Sequence, residues 1–547
     1  MRPLRPIRPV RLIALILALV LAAAGCAGGS QDDPQTKIDE PDPNINTTGM
    51  PIAKEPVTIS FMSGRPSQTA DDWNTVAAMK KMEKQSGVHI DWGLVPSEGA
   101  TEKRNLSLAS GDYPEVIYRT GLGAVDLAKY GEQGTLIPLN TLIDKYMPNL
   151  KAILAENPDI KRGMTFPDGK IYGLPTIYDP EFASLQMQYK LWVRKDWLAK
   201  FGMKTPTTLD EYAAYLKAVK TKDPNGNGKA DEIPLTDGGE GGTLYQMLRS
   251  SFGVGNRGTS SGYLDAQPDD PTTVRFYPAS DGYRDLMGYL HKLYADGLIQ
   301  KDVFTNDAGK FNNLGSQDLI GSAATQSPAA FFGKVGKNYV ALPPLKKTAS
   351  DPVPEWNAEG SGLRGMGQFV ITDKAEHPVA AARWMDYFYG DEGAKLFFLG
   401  IEGTTYQKSG TDYEFLPQIA DNPDGLTVDE ALKPYVIYLG GSYPGIVRES
   451  YFKGTEGSAQ AVEGTKQVAD HGIDEVWPGF TYGSDEATEL DTISADVDKF
   501  TDESRSAFIS GKKPLSDWDD YVAKFDQMGM KRYLEIQQAA LDRYRKK

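Results

Sequence analysis

The chain has 547 residues, a net charge of −15 and a single cysteine, Cys26. An acidic chain with no basic stripe excludes nucleic acid as a partner, and one thiol excludes an intrachain disulfide framework and a cysteine metal cluster. A body of about 490 residues exceeds what one core serves, so two domains or more are expected.

Residues 1–25 carry Arg2, Arg5, Arg8 and Arg11, then an apolar run from Leu12 to Ala24. That run of about 13 residues falls short of the roughly 20 that span a bilayer, so it reads as a secretory signal peptide. Its end, "AAAGC", resembles a bacterial lipoprotein signal, with Ala23 where such signals carry Leu. The resemblance implies a diacylated Cys26, palmitate-type chains included, and a protein held outside the cytoplasm on the outer face of the cell membrane. Loss of the leader's arginines makes the mature chain about −19. Residues 26–55 are rich in Gly, Pro, Asp and Asn without apolar periodicity, so a flexible tether is expected there.

In the body, "VTISFM" (57–62) and "VHIDWGLV" (88–95) read as strands, and the segment between them has helical spacing that stops at Gly87. A further helix and strand follow in "EKRNLSLASGDYPEVIYR". Alternation on this scale implies an α/β layered fold with a mainly parallel sheet. Further on, Thr208 and Glu211 make a capping box for a helix with Leu209, Tyr212, Leu216 and Val219 on one face. Trp192 and Trp197 read as structural, with Arg194 and Asp196 pinning a helix start. In "HPVAAARWMDYFYGDEG", Trp384 lies on a helical apolar stripe and reads as core.

The stretch "KTKDPNGNGKADEIPL" (220–235) reads like half of an EF-hand. It offers Asp223, Asn225 and Asn227 at alternating positions, the Lys229 carbonyl, and Asp231, with Gly228 at the sixth position. Calcium takes six to eight hard oxygens, which such a loop supplies. Pro234 replaces the bidentate Glu of the twelfth position, and Glu232 can take its role in a more compact cage. The competing reading is an Asx-rich turn without metal; the expectation is structural calcium. "GVGNRG" and "GTSSG" match phosphate-loop and nucleophile-elbow patterns, but neither has the strand before and helix after that those chemistries need.

At this point the chain resembles the extracellular solute-binding proteins of ABC importers, in the large lipoprotein branch typified by LipO and the alginate-oligosaccharide-binding proteins. The matching stretches include "LASGDYPEVI", "LIDKYMPNL", "DGKIYGLP", the calcium-type loop with its preceding helix, "LYADGLI", "AARWMDYFYGDEGAKLFFLGIEGTTY" and "WDDYVAKFDQMGMKRYLEIQQAALDRY", in family order from about residue 57. The resemblance implies a two-lobed, type II periplasmic-binding-protein-like fold, each lobe a mainly parallel sheet flanked by helices, with hinge crossings near residues 176–186, 323–330 and 367–372. That gives an N-lobe of residues 56–176 with 325–368 and a C-lobe of 177–324 with 369–547. Relatives with the acidic loop bind calcium, which supports that expectation.

The resemblance further implies a monomer that captures an oligosaccharide in the cleft and delivers it to the transmembrane subunits of an ABC permease, without catalysis. Sugar recognition needs aromatic faces and planar polar groups on loops at strand ends. Position selects Arg65 and Trp73 after the first strand. Similarity to maltose-binding relatives selects Tyr118 and Arg119, then Tyr178 and Asp179 at the first crossing, then Tyr245. Trp356 and Tyr406 are added as loop aromatics. A lipid-anchored glycoside hydrolase remains an alternative, since paired carboxylates leave no short motif, as does a sensory solute-binding protein.

Overall fold

The computed structural model describes residues 34–239, 241–437 and 443–546; the leader and Cys26 lie outside them. Fourteen strands follow one another among the described residues: β1 (Val57–Arg65), β2 (Val88–Pro96), β3 (Val116–Leu122), β4 (Leu174–Tyr178), β5 (Lys190–Arg194), β6 (Ile233–Asp237), β7 (Leu264–Gln267), β8 (Asp270–Phe276), β9 (Ile320–Thr325), β10 (Tyr339–Ala341), β11 (Leu363–Ile371), β12 (Tyr406–Ser409), β13 (Asp412–Phe415) and β14 (Gly445–Val447). They build two main sheets and two hairpins.

The first sheet has the order β14-β4-β11-β3-β1-β2. Val57, Ile59 and Phe61 alternate with more exposed neighbours and point into one core. β1 pairs in parallel with β2 and β3, because the helices Ala77–Ser86 and Ser97–Ser110 carry the chain back between them. β11 enters antiparallel between β3 and β4, and β14 joins β4 in parallel. The second sheet has the order β10-β5-β9-β6. Only β6 and β9 run parallel there, so the mainly parallel ladder expected of each lobe is met in the first sheet alone. β5 comes straight out of the crossing and runs against its neighbours on both sides.

Two hydrophobic cores define the lobes. The first unites Phe61, Trp73, Ile177 and Leu185 with Phe369, Trp384, Phe397 and Phe452. The second unites Met187, Trp197, Tyr212 and Leu290 with Trp356, Trp477, Phe508 and Trp518. The chain therefore passes between lobes in residues 179–189, 359–362 and 448–458. This corrects the expected boundaries. Residues 325–358 belong to the second lobe, and residues 369–452 to the first. The reason is packing: Phe369, Val370 and Ile371 are fully buried in the first sheet, and the helix Pro378–Tyr389 covers them with Trp384 against Phe61 at 5.4 Å.

Residues 34–55 also depart from expectation. A flexible tether was expected, whereas the segment forms a helix (Pro34–Asp39) and a bridge between Ile45 and Ala53. Ile38, Ile45 and Ile52 are buried in the first core, and Lys37 Nζ donates to the Ala375 carbonyl at 3.1 Å. The 27-residue helix Ser484–Ser510 touches both lobes: Ala487 joins the first-lobe cluster with Leu127, and Phe508 joins the second core. Among the described residues no helix is long and apolar enough to cross a membrane.

Candidate functional site: the junction of the lobes

The crossings are tied to one another by polar contacts. Asp179 Oδ1 caps the turn by accepting the Glu181 N–H at 3.0 Å, and Oδ2 accepts Arg448 Nε of the third crossing, also at 3.0 Å. Arg448 reaches on to Asp391 through Nη1. Arg364 lays its guanidinium over the Tyr178 ring at 5.3 Å and donates to Ser260 Oγ at 3.2 Å. Ser260 also accepts the Ser361 N–H, and the Thr259 N–H bonds the Glu359 carbonyl at 2.8 Å. The glycine-rich loop thus holds the second crossing in place. At Gly258 (φ 85°) an added Cβ would stand 2.5 Å from the Glu359 carbonyl, which explains the glycine.

On the second lobe a cavity of about 350 Å³ opens at the C-terminal ends of β6 and β9. Tyr189, Thr243, Asn312, Gln326 and Phe331 are among its lining residues, and no lining residue is charged. The strand-end position follows from the parallel pairing of β6 and β9, since loops leaving parallel strands in one direction make a concave rim. Asp237, wholly buried, shapes that rim by accepting N–H groups from Gly239, Gly241 and Leu244 at 3.2, 2.9 and 2.7 Å. Burial pushes its carboxyl above the ordinary value, against those hydrogen bonds.

The expected ligand residues divide in two. Tyr178, Asp179 and Arg65 lie at strand ends or in the first crossing, and Arg65 pairs with Asp71 at 3.0 Å; Arg119 lies in the middle of β3, where it takes a left-handed φ of 52°. The other rings are packed inside the lobes, which corrects their placement on cleft loops. Trp73 is fully buried, donates Nε1 to Thr69 Oγ1 and meets Trp92 edge-on at 4.9 Å. Tyr118 sits among Phe61, Trp92 and Phe369, and burial lifts its phenol far above the usual range. Tyr245 lies under the Arg505 guanidinium at 4.5 Å. Trp356 is second-lobe core, and Tyr406 packs on Tyr413 at the base of a hairpin. Trp197 and Arg194 hold as read: the guanidinium stacks at 4.3 Å and pairs with Asp196. Tyr189, Arg364, Asn312 and Gln326 were not singled out. Tyr189 had one signal, its place directly before the apolar strand "KLWVR".

In the acidic loop, Asp223 accepts N–H groups from Gly226 and Asn227 on Oδ1 and from Gly228 on Oδ2, and Asn227 Nδ2 donates to Asp231. Lys229 donates its N–H to Asn227 Oδ1. Glu232 is buried, accepts the Asn225 N–H at 3.4 Å through Oε1, and leaves Oε2 without a hydrogen-bond partner. Burial raises its pKa, and Asp223 and Asp231 add to the rise. Among the described residues no three acidic or His side chains are gathered closely enough to hold a metal. The donor types and the orphaned oxygen nevertheless fit a hard divalent cation.

The fold and this junction define a two-lobed solute-binding protein. The chain belongs to the bacterial extracellular solute-binding proteins, whose family model matches residues 67–395. It is 29% identical over 542 residues to the fructooligosaccharide ABC transporter substrate-binding protein FusA of Streptococcus pneumoniae, covering 96% of each chain. The structure of FusA with kestose superposes with a TM-score of 0.75 at 28% identity, over 89% of this chain and 99% of that one. An EF-hand mutant of FusA is similarly related, with a TM-score of 0.73 at 28% identity over 89% and 99% of the two chains. Two Bacillus subtilis proteins match in part: lipoprotein LipO (31% identical, 46% of this chain and 48% of its own) and the polygalacturonan/rhamnogalacturonan-binding protein YtcQ (29%, 54% and 53%).

Proposed function

We propose that the protein is the lipid-anchored capture component of an ABC importer. It grips a neutral oligosaccharide between its lobes and hands it, unchanged, to a membrane permease. The observation that carries this reading is the uncharged, aromatic-edged cavity at the ends of β6 and β9, with Tyr189 of the first crossing in its lining. Hydroxyls, amides and rings are what a neutral sugar needs, whereas a uronate polymer needs cations. Arg364 and Arg448, two cations at the junction, are already engaged with Tyr178 and Asp179. FusA, the full-length relative, binds fructooligosaccharides.

Cys26 supplies the anchor in this reading. The loop residues Asp223, Asn225, Asn227, Asp231 and Glu232 with the Lys229 carbonyl hold calcium, which fixes the helix Leu209–Thr221 to β6 rather than acting in transport. The test is calorimetric titration at fixed calcium. Kestose is expected to bind with a saturable one-to-one heat and to be recovered intact, and trigalacturonate is expected to give none. Heat with trigalacturonate alone, or release of monosaccharide, would refute the reading.

A further inference from the structure

The strap of residues 34–55 occupies the end of the first lobe farthest from the cleft. β1, β3 and β4 run the same way, because β1 pairs in parallel with β3 and β11 lies antiparallel to both β3 and β4. The crossings leave from one end of this sheet: the first follows Tyr178 of β4, and the second runs into Leu363 of β11. At the other end Ile371 pairs with Val116, and the Thr372 N–H bonds the Glu115 carbonyl at 2.9 Å. The strap is fastened there. Lys37 Nζ reaches the Ala375 carbonyl at 3.1 Å, the Tyr146 hydroxyl donates to the Ile38 carbonyl at 2.9 Å, and the Ile52 N–H bonds the Ser86 carbonyl, just before β2, at 2.8 Å. β11, nine residues long, runs from the crossings to this far end, a span of roughly 27 Å.

Because the strap is seated, only eight peptide units separate Cys26 from the folded body at Pro34. Fully extended they reach at most about 28 Å, whereas a tether running from Cys26 to Pro56 would reach about 100 Å. We propose that the strap seats the lipid anchor: it holds the far end of the first lobe at the bilayer surface and leaves the second lobe as the free arm. The proposal rests on lipidation of Cys26, the anchoring part of the proposed function, since two acyl chains hold a protein stably to a bilayer. The acidic loop precedes β6, and the cavity lies where β6 and β9 end, so that loop marks the opposite extreme of the molecule. Opening of the cleft is then a swing of the second lobe over a first lobe that stays at the membrane.

The experiment uses the lipidated full-length protein in phosphatidylcholine vesicles that carry an acceptor dye on a trace of lipid headgroups. Lipidation consumes the one thiol of the chain, so an introduced cysteine takes a donor dye alone. Glu376→Cys places it at the strap end of the first lobe, and Lys217→Cys on the helix Leu209–Thr221 that leads into the acidic loop; both positions are exposed. Energy transfer to the lipid dye is expected to be severalfold greater from residue 376 than from residue 217. A Gly-Ser insert of about 24 residues between Asp33 and Pro34 should erase most of that difference, because it lengthens the leash. The same insert between Glu55 and Pro56, both exposed, should leave the difference in place, because the strap remains seated ahead of it.

Equal transfer from the two positions, or two inserts with the same effect in variants that melt like the parent, overturns the proposal. Wild type is expected to float with the vesicles and to take up no dye. A wild-type protein that stays in solution and labels at Cys26 would instead sink the lipid-anchor reading itself, and the seat with it.

Discussion

Glu359 sits in the second crossing with its carbonyl tied to Thr259 and with Oε2 buried and unbonded. Burial pushes its carboxyl up to about 7 from 4.5, only partly offset by the Ile473 N–H. The folded protein therefore takes up a proton there between pH 4.5 and 7, and stability from this group falls as pH rises through that window. Glu359→Gln should melt about 2–4 °C above wild type at pH 8 and together with it at pH 4; equal melting at both would show the carboxyl to be solvated. Residue-scale reading of the sequence succeeded where a local partner set the role, as with Arg194 and Asp196, two positions apart. It failed for the ring faces. Trp73, Tyr118 and Trp356 sit beside turns in sequence, but whether an aromatic turns inward depends on what the other strands bring opposite it. For Tyr118 that is Phe369, 251 positions away in β11.

Among elements, the N-terminal strap is a test of packing against composition. Polar residues dominate 34–55, yet Ile38, Ile45 and Ile52 recur every seven positions and all three are buried. Ile52→Ala should cost about 2–5 kcal/mol, read as a lowered denaturation midpoint; a change within error would mean the strap adds nothing to the first lobe. The period was visible in the sequence, but low overall hydropathy outweighed it. The turn of the acidic loop was legible from spacing alone, because its contacts, Asp223 with Gly226, Asn227 and Gly228, are local. Its chemistry predicts that calcium raises the melting temperature relative to EDTA, since a ligand held only by the folded state stabilises it. Asp223→Ala with Glu232→Gln should abolish that rise; an equal rise in the double variant would place calcium elsewhere. The boundaries between lobes were not legible. Strands of the two sheets alternate along the chain without a change in composition, so only the cores reveal that β11 returns to the first sheet.

For the whole molecule, three crossings, the first and third tied by Asp179–Arg448 and the second flanked by Arg364–Ser260, join two separately packed lobes. The helix Ser484–Ser510 adds a contact to both lobes along one side, and opening by a hinge at the crossings is the motion expected of such an arrangement. The two-lobed α/β class was readable because it rests on alternation and on the order of many stretches, none of which needs a boundary. Small-angle X-ray scattering of the calcium-loaded protein with and without saturating kestose examines this most directly. The account predicts a smaller radius of gyration with kestose bound. Identical scattering at a kestose concentration that saturates calorimetric binding would contradict closure of the lobes on the sugar.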